Sequence, residues 1–275
     1  MEPSHYRLVE YGLIFALTGV VSGLTSGLFG IGGGILRIPV FSVLFPLFGV
    51  HAGIEMHVAA ATSLALAIPS GIAALWKHSK LGNVDVGYLR TWVVGLALGA
   101  IVGIGLVPWV SSGALKIAFL VFLVAMVIDF AFVPDRFVIR RTLPGLAGSL
   151  MLSAGVGAYS VMIGVAGGSL AVPVLKACAM PLTRALAIGS GTSLIVSTLG
   201  TVGGIWNGWD LPGRLPWSVG YVDGLVVAVM LPGVVLATGP GVALANRMSP
   251  QVLKRCYAGF LTVIVAGMLA HMARS

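Results

Sequence analysis

Long apolar runs separated by short polar stretches cover almost the whole chain. Most runs are about 20 residues long, which is the length that a helix rising about 1.5 Å per residue needs to cross about 30 Å of hydrocarbon. They lie at about residues 9–29, 58–76, 88–110, 114–133, 143–163, 184–206, 222–245 and 252–272. The pattern therefore predicts an all-α polytopic membrane protein with about eight transmembrane helices.

The composition supports the same class. Of the 275 residues, 58% are hydrophobic and 9% are charged, and the mean hydropathy is +1.05. This leaves too little polar surface to enclose a soluble globule, so the lipid bilayer is the expected partner. The formal net charge of +8 could indicate nucleic-acid binding, but the basic residues are scattered at the ends of apolar runs. Because such residues are typical of membrane anchors, we expect no nucleic-acid partner.

Candidate metal ligands are few. Cys178 and Cys256 are the two cysteines of the sequence, too few for a disulfide framework or a metal site. His51, Glu55 and His57 form a polar edge between two apolar runs, and their spacing matches no standard metal site. We therefore expect no metal and no cofactor. Homo-oligomerisation is compatible with this composition.

One stretch of the chain occurs twice. Residues 23–41, GLTSGLFGIGGGILRIPVF, align without gaps to residues 157–175 with eight identities. A second block, Thr62-Ser63-Leu64, lies over Thr192-Ser193-Leu194 in the same order. The duplication predicts a first four-span repeat at 1–134 and a second at 143–275, joined by a basic connecting loop at 135–142.

A glycine-rich break interrupts each repeat and is followed by a short apolar piece, about 35–48 in the first repeat and ending near 180 in the second. Each short piece is expected to be a half-helix or a re-entrant segment. Positive-inside bias places the connecting loop in the cytoplasm. Eight full crossings would put both termini on the side of this loop, which is the arrangement that we favour. If the short pieces also carry the chain across, the repeats become inverted.

The two breaks are the candidate substrate site. Backbone freed from a helix in hydrocarbon survives only inside protein or beside a watery cavity, and helix starts offer unpaired N–H groups with partial positive charge. Glycine lets a ligand approach the backbone closely, so the predicted ligand is a small anion. The candidate residues are Gly30, Gly32, Gly33, Gly34, Gly164, Gly167 and Gly168. The alternative is that these glycines only permit tight helix packing, as we expect for Gly95, Gly99 and Gly103 in a later span.

Polar residues near the breaks extend the candidate site. Arg37 lies about one turn past the first break, where a guanidinium could bind an oxyanion through forked hydrogen bonds; alternatively it reaches the headgroups from a helix end. The hydroxyls at Thr62, Ser63, Thr192 and Ser193 could line the same cavity or bond to neighbouring helices.

Asp129 is the carboxylate that we expect inside a hydrocarbon span, which makes it the candidate for proton coupling. A wet position near the end of its span is the alternative. His57 could titrate near neutral pH, but we interpret it as a residue at a helix entry.

The motifs resemble those of a known family. GLFGIGGGILRIPVF, HVAAATSL, IGVAGGSLAVPVL and GSGTSL are similar to the sulfite exporter TauE/SafE family, and the resemblance covers nearly the whole chain. It implies a four-plus-four span duplication in a small bacterial membrane protein that moves sulfur-containing anions such as sulfite or sulfonates. Ala166 stands where the first repeat has Gly32, so the second loop is expected to hold its ligand less closely.

The resulting hypothesis is an exporter of a small sulfur-containing anion in the bacterial inner membrane. A carrier of the same build for a non-sulfur anion or another small solute is the alternative. An enzyme would need a nucleophile such as Ser190 or Ser193 within reach of a histidine. The histidines lie near the ends of apolar runs, so we expect no catalysis.

Overall fold

The computed structural model describes residues 5–29, 33–80, 82, 85–132, 144–210, 216–245 and 247–272. Within these ranges the chain forms ten α-helices, one 3₁₀ turn and one small hairpin. The elements are α1 (His5–Phe29), α2 (Gly34–Leu47), α3 (Glu55–Lys80), α4 (Val86–Leu106), the 3₁₀ turn (Val107–Trp109), α5 (Ser112–Phe132), α6 (Leu146–Ile163), α7 (Gly168–Ala177), α8 (Leu182–Asn207), β1 (Ser218–Val219), β2 (Val222–Asp223), α9 (Gly224–Ala245) and α10 (Pro250–Met272).

Eight of the described helices are long and apolar enough to cross a membrane, which confirms the predicted class. The other two, α2 and α7, have 14 and 10 residues. At about 1.5 Å per residue they are about 21 and 15 Å long, well short of a hydrocarbon core of about 30 Å. Each follows a glycine break, as the sequence predicts. The connecting loop at 135–142 lies outside the described residues, so the division at this loop stays a prediction.

The short helix α2 runs back along α1. Phe48 packs on Tyr11, Phe41 and Phe45 pack on Phe15, and Gly33 lies beside Ser22. Rising numbers in α2 therefore match falling numbers in α1. Together with the break before it, α2 returns the chain from the end of α1 to the side where α1 begins.

The repeats are inverted. The two helices with equivalent Thr-Ser pairs, α3 and α8, pack antiparallel: Leu64 lies beside Gly200, and Gly71 beside Leu194. The interpretation that both termini share the side of the connecting loop is therefore wrong, because the breaks and short helices return the chain across the molecule. We call the side on which α1 and α3 begin, and on which α10 ends, the N-terminal face; α5 ends and α6 begins on the opposite face.

The three most extensive helix–helix contacts join one repeat to the other: α1 with α9, α4 with α6 and α3 with α8. Helix α5 also packs on α10. In the α4–α6 pair, side chains added at Gly95, Gly99 and Gly103 would meet the backbone of Leu150, Ala154 and Ala158. This confirms the predicted packing stripe. The α1–α9 pair uses a stripe of the same kind, with Gly19, Gly23 and Gly27 against the backbone of Met230, Val234 and Thr238. Both pairs run parallel, since the numbers rise together.

The inverted arrangement predicts where two equivalent loops are accessible. In a background with Cys178→Ala and Cys256→Ala, we expect a membrane-impermeant maleimide on intact cells to label only one of His51→Cys and Ala179→Cys. Both positions are exposed, and they lie between α2 and α3 and between α7 and α8. Ser79→Cys, exposed near the end of α3, should match Ala179→Cys. Labelling of His51→Cys and Ala179→Cys from the same side would contradict the inversion.

The glycine stripe predicts a position-dependent loss of stability. A Cβ at Gly99 would collide with the carbonyl oxygen of Ala154, whereas Gly105 on the same helix has no described atom within 4 Å of an added Cβ. Overpacking of this kind typically costs about 1–3 kcal/mol, while alanine improves an open helix position by up to about 1 kcal/mol. Thermal unfolding in detergent should therefore show a lower melting temperature for Gly99→Ala than for the wild type. The melting temperature of Gly105→Ala should not fall. Equal melting temperatures would contradict the close approach.

Candidate functional site

The two glycine breaks meet at one serine of α3. Ser63 Oγ donates a 3.0 Å hydrogen bond to the carbonyl oxygen of Gly164, at the end of α6. A Cβ placed on Gly34, the first residue of α2, would lie 3.1 Å from Ser63 Oγ and 3.3 Å from the same carbonyl oxygen. The structure thus brings together Gly34, Ser63 and Gly164, three of the residues proposed from the sequence.

The backbone of the second break is paired within the protein. The N–H of Val165 donates to Ser160 O at 3.1 Å, and the N–H of Gly168 donates to Ser193 Oγ at 2.9 Å. Non-helical backbone in a membrane needs such partners, because lipid offers none. Ser63 and Ser193 therefore hold the two ends of the second break, one at α6 and one at α7.

The second break is also closely packed. Gly164 has a left-handed φ of 71°, and a side chain there would collide with Ala60 of α3. A Cβ on Gly167 would lie 2.7 Å from methyl groups of Thr192 and Val196. In this conformation, Gly164, Gly167 and Gly168 permit close packing of backbone on α3 and α8, which is the alternative given for them above.

The first break carries a buried positive charge. Gly30 and Gly32 lie outside the described residues, but Gly33 has a left-handed φ of 67° and begins the turn into α2. A Cβ on Gly33 would lie 3.5 Å from Nη2 of Arg37. Arg37 is 0% exposed, so its side chain does not extend to the surface of the protein. The equivalent residue in α7 is Ala171, so the guanidinium belongs to the first break alone.

The two threonines join helices. Thr62 Oγ1 accepts a 3.0 Å hydrogen bond from the N–H of Asp223, just before α9. Thr192 Oγ1 accepts a 3.0 Å bond from Trp92 Nε1 of α4 and donates to the carbonyl of Ile188. These hydroxyls tie α3 to the start of α9 and α8 to α4, whereas the neighbouring serines contact the breaks.

Asp129 is half-buried near the end of α5. It is not the one carboxylate within a span, because Glu55 opens α3, is buried, and forms an ion pair with Lys116 of α5. Asp129 does lie within a candidate span, and its role in proton coupling stays a prediction. Length and hydropathy did not show that Glu55, at the start of α3, is buried as well.

A further buried carboxylate, Asp223, escaped the sequence analysis. Its Oδ1 accepts a 3.0 Å bond from Val226 N–H, as Asp85 Oδ1 accepts a 3.1 Å bond from Tyr88 N–H at the start of α4. Each aspartate follows a valine, and the two Val-Asp pairs stand at equivalent places in the two repeats. This match in the sequence could have identified Asp223 as a candidate. Asp223 is buried whereas Asp85 is exposed, and burial raises the pKa of the Asp223 carboxyl.

A second polar group lies on the N-terminal face, around a cavity of about 20 Å³ between α3 and α8. His57 lines it, is buried, and places Nε2 3.1 Å from the carbonyl oxygens of both Val107 and Val110. Its ring stacks on Tyr221 of the hairpin at 5.3 Å between centroids. Asn207 lines the cavity from α8 and donates a 2.7 Å hydrogen bond to Ile104 O. These residues come together because α3, α8 and the hairpin pack on one another, so their spacing in the sequence does not reveal the group.

A polytopic helical protein with inverted repeats and a short helix after a glycine break in each repeat has the architecture of a membrane transporter. The sulfite exporter TauE/SafE family model matches residues 15–268, and the chain therefore belongs to this family of membrane transporters. A "probable membrane transporter protein" of Methanocaldococcus jannaschii is 25% identical over 257 residues, covering 93% of this chain and 94% of that protein. One from Haemophilus influenzae is 26% identical over 267 residues, covering 93% and 97%. No solved structure matches the chain.

The contact between the breaks predicts a specific role for one hydroxyl. Ser63→Ala removes the donor to the buried carbonyl of Gly164, and a buried group left without its partner typically costs about 1–3 kcal/mol. Ser70→Ala is the matched control, because Ser70 Oγ on the same helix is buried with no hydrogen-bond partner among the described residues. We expect thermal unfolding in detergent to show destabilisation by Ser63→Ala alone. Equal stability of the two variants would contradict the role of Ser63.

Proposed function

We propose that the protein exports a small sulfur-containing anion, such as sulfite or an organosulfonate, across the bacterial inner membrane. The observation that supports this most is the fully buried Arg37, one turn into the short helix α2 and beside Gly33. Taking a guanidinium out of water is costly unless an anion or hydrogen-bond acceptors compensate it. The same residue type gives forked hydrogen bonds to a sulfonate or sulfite group.

The start of α2 adds to this charge. The first N–H groups of a helix have no partner within the helix and carry partial positive charge. Glycine at positions 33 and 34 keeps side chains away from them. The start of α7 offers a second helix end, with Ser193 on its Gly168 N–H. We propose that Gly30, Gly32, Gly33, Gly34 and Arg37 form the main part of the anion site, with Ser63 and the second break completing it.

The inverted repeats support alternating access around this site. In transporters of this build, the repeats exchange conformations while the substrate site stays between them. The antiparallel α3–α8 pair carries Ser63 and Ser193 on its two helices, so a change in their crossing would move both breaks. Export of an anion is favoured by an inside-negative membrane, by about 2.3 kcal/mol per charge per 100 mV. An exporter of a monoanion therefore needs no coupling ion on electrical grounds.

A non-sulfur anion is the alternative substrate. Carboxylates also match a guanidinium and a helix start, so the chemistry of Arg37 favours an anion and the family description favours sulfur. We propose no catalytic activity. The hydroxyl of Ser193, the candidate nucleophile, is hydrogen-bonded to the N–H of Gly168.

The test is anion transport by purified protein in liposomes, with sulfite, sulfoacetate, thiosulfate, sulfate and acetate offered under an imposed membrane potential. We expect saturable movement of a sulfur-containing anion, and at least a tenfold loss of affinity in Arg37→Gln, because charged hydrogen bonds contribute about 1.5–3 kcal/mol. Arg90→Gln, at an exposed position on α4, is the matched control. Movement of acetate alone would favour the alternative substrate. Unchanged affinity in Arg37→Gln would remove Arg37 from the site.

A further inference from the structure

The orientation of His57 determines which ring nitrogen can take up a proton. Nε2 lies 3.1 Å from the carbonyl oxygens of Val107 and Val110. Carbonyl oxygens only accept hydrogen bonds, so Nε2 carries a hydrogen whether the ring is neutral or charged. The remaining nitrogen, Nδ1, is buried and has no hydrogen-bond partner among the described residues. Nδ1 is therefore the atom that gains or loses the proton.

The cavity beside His57 can supply that proton. Its volume of about 20 Å³ is enough for about one water molecule. Most of its lining is apolar, His57, Asn207 and Tyr221 are its polar residues, and Ala60, Gly200 and Gly204 leave the space open. An imidazole nitrogen that has no hydrogen-bond partner among the described residues, on a side chain that lines a water-sized cavity, can act as a proton acceptor.

The charged groups around the cavity are largely compensated. On α3, Glu55 is paired with Lys116 of α5. On the hairpin, Tyr221 stacks on the His57 ring and Asp223 accepts the N–H of Val226. The 3₁₀ turn contributes carbonyl oxygens and α8 contributes Asn207. Protonation of His57 therefore adds one positive charge to a region whose other described charges are in pairs or caps.

Among the described residues, the opposite face has no such arrangement. Ala187 of α8 stands at the position equivalent to His57, and Leu89 and Leu75 occupy the space beside Gly191, at 3.0 and 3.7 Å from an added Cβ. The two repeats thus differ at matched places: a water-sized cavity beside His57 on the N-terminal face and packed leucines on the other.

From this geometry, and on the basis of the transport function proposed above, we propose that His57 is the proton-binding group of the transporter. Its Nδ1 takes up a proton through the cavity on the N-terminal face, and the added charge strengthens anion binding at the breaks. His57 lies six residues before Ser63 on α3, or about 9 Å along the helix. At about 10 Å inside a protein, a unit charge changes the affinity for an anion by on the order of tenfold.

The first measurement follows the proton directly. In NMR spectra of protein with ¹⁵N-labelled histidine in detergent, we expect Nδ1 of His57 to titrate between about pH 5 and 8 while Nε2 stays protonated. The signal is assigned in otherwise wild-type protein by single Gln variants of His5, His51, His78 and His271. The assignment does not depend on the folding of a His57 variant. A His57 ring that stays neutral throughout this range would overturn the proposal.

The second measurement follows the anion. Affinity for methanesulfonate, which stays a monoanion over this pH range, should rise by about tenfold on acidification in the wild type and become independent of pH in His57→Gln. Glutamine keeps an N–H donor for the two carbonyls. His51→Gln, at an exposed position, and Asp129→Asn should retain the pH dependence. If His57→Gln retained the pH dependence of affinity, or if Asp129→Asn alone lost it, the assignment to His57 would be overturned. Absence of binding of any anion would refute the proposed function, while the NMR titration would still decide whether His57 binds a proton.

Discussion

The need to pair every backbone polar group away from water determines how this protein is built. A helix meets that need by itself, but a break in a helix exposes N–H and C=O groups that lipid cannot satisfy. The second break obtains its partners from two neighbouring helices. Ser63 of α3 donates a hydrogen bond to the carbonyl oxygen of Gly164, and Ser193 of α8 accepts one from the N–H of Gly168. Because each serine lies on a long central helix, the second break lies between α3 and α8, which pack on each other. The position of α7 follows from these two contacts.

The sequence was sufficient to predict the helical membrane class, the two breaks and their short helices, because hydropathy, run length and glycine clusters report these features directly. It also predicted the stripe of Gly95, Gly99 and Gly103, whose spacing matches one face of a helix. The direction of the chain was mispredicted, since the length of α2 suggested a segment that stays on one side. Whether a break and a short helix together return the chain across the molecule depends on how the short helix packs against α1. The contacts of Phe41 and Phe45 with Phe15 give this direction, and they are visible only in the folded structure.

The candidate site was predictable in part for the same reason. Glycines and serines of the breaks stand in a repeated motif, so their proximity could be anticipated from the duplication. The cluster of His57, Asn207 and Tyr221 joins a residue of the first repeat to two residues of the second, and Ala187 stands at the position equivalent to His57. Departures from symmetry of this kind, like Arg37 opposite Ala171, give chemical distinctness to two otherwise similar halves. Duplication gives the two repeats the same arrangement of helices, and single residue differences between the repeats make their equivalent positions chemically different.

The pairing of α1 with α9 and of α4 with α6 has a consequence for how the molecule is made. A chain emerging from the ribosome presents α1 first, yet the helix that covers its glycine stripe is α9, the ninth of the ten described helices. Until α9 arrives, the close-packing surface of Gly19, Gly23 and Gly27 faces lipid or a provisional neighbour. The first repeat therefore cannot complete its packing before most of the second has been inserted. Assembly of this protein in the membrane must be late and concerted, with the two halves acquiring their final shape together.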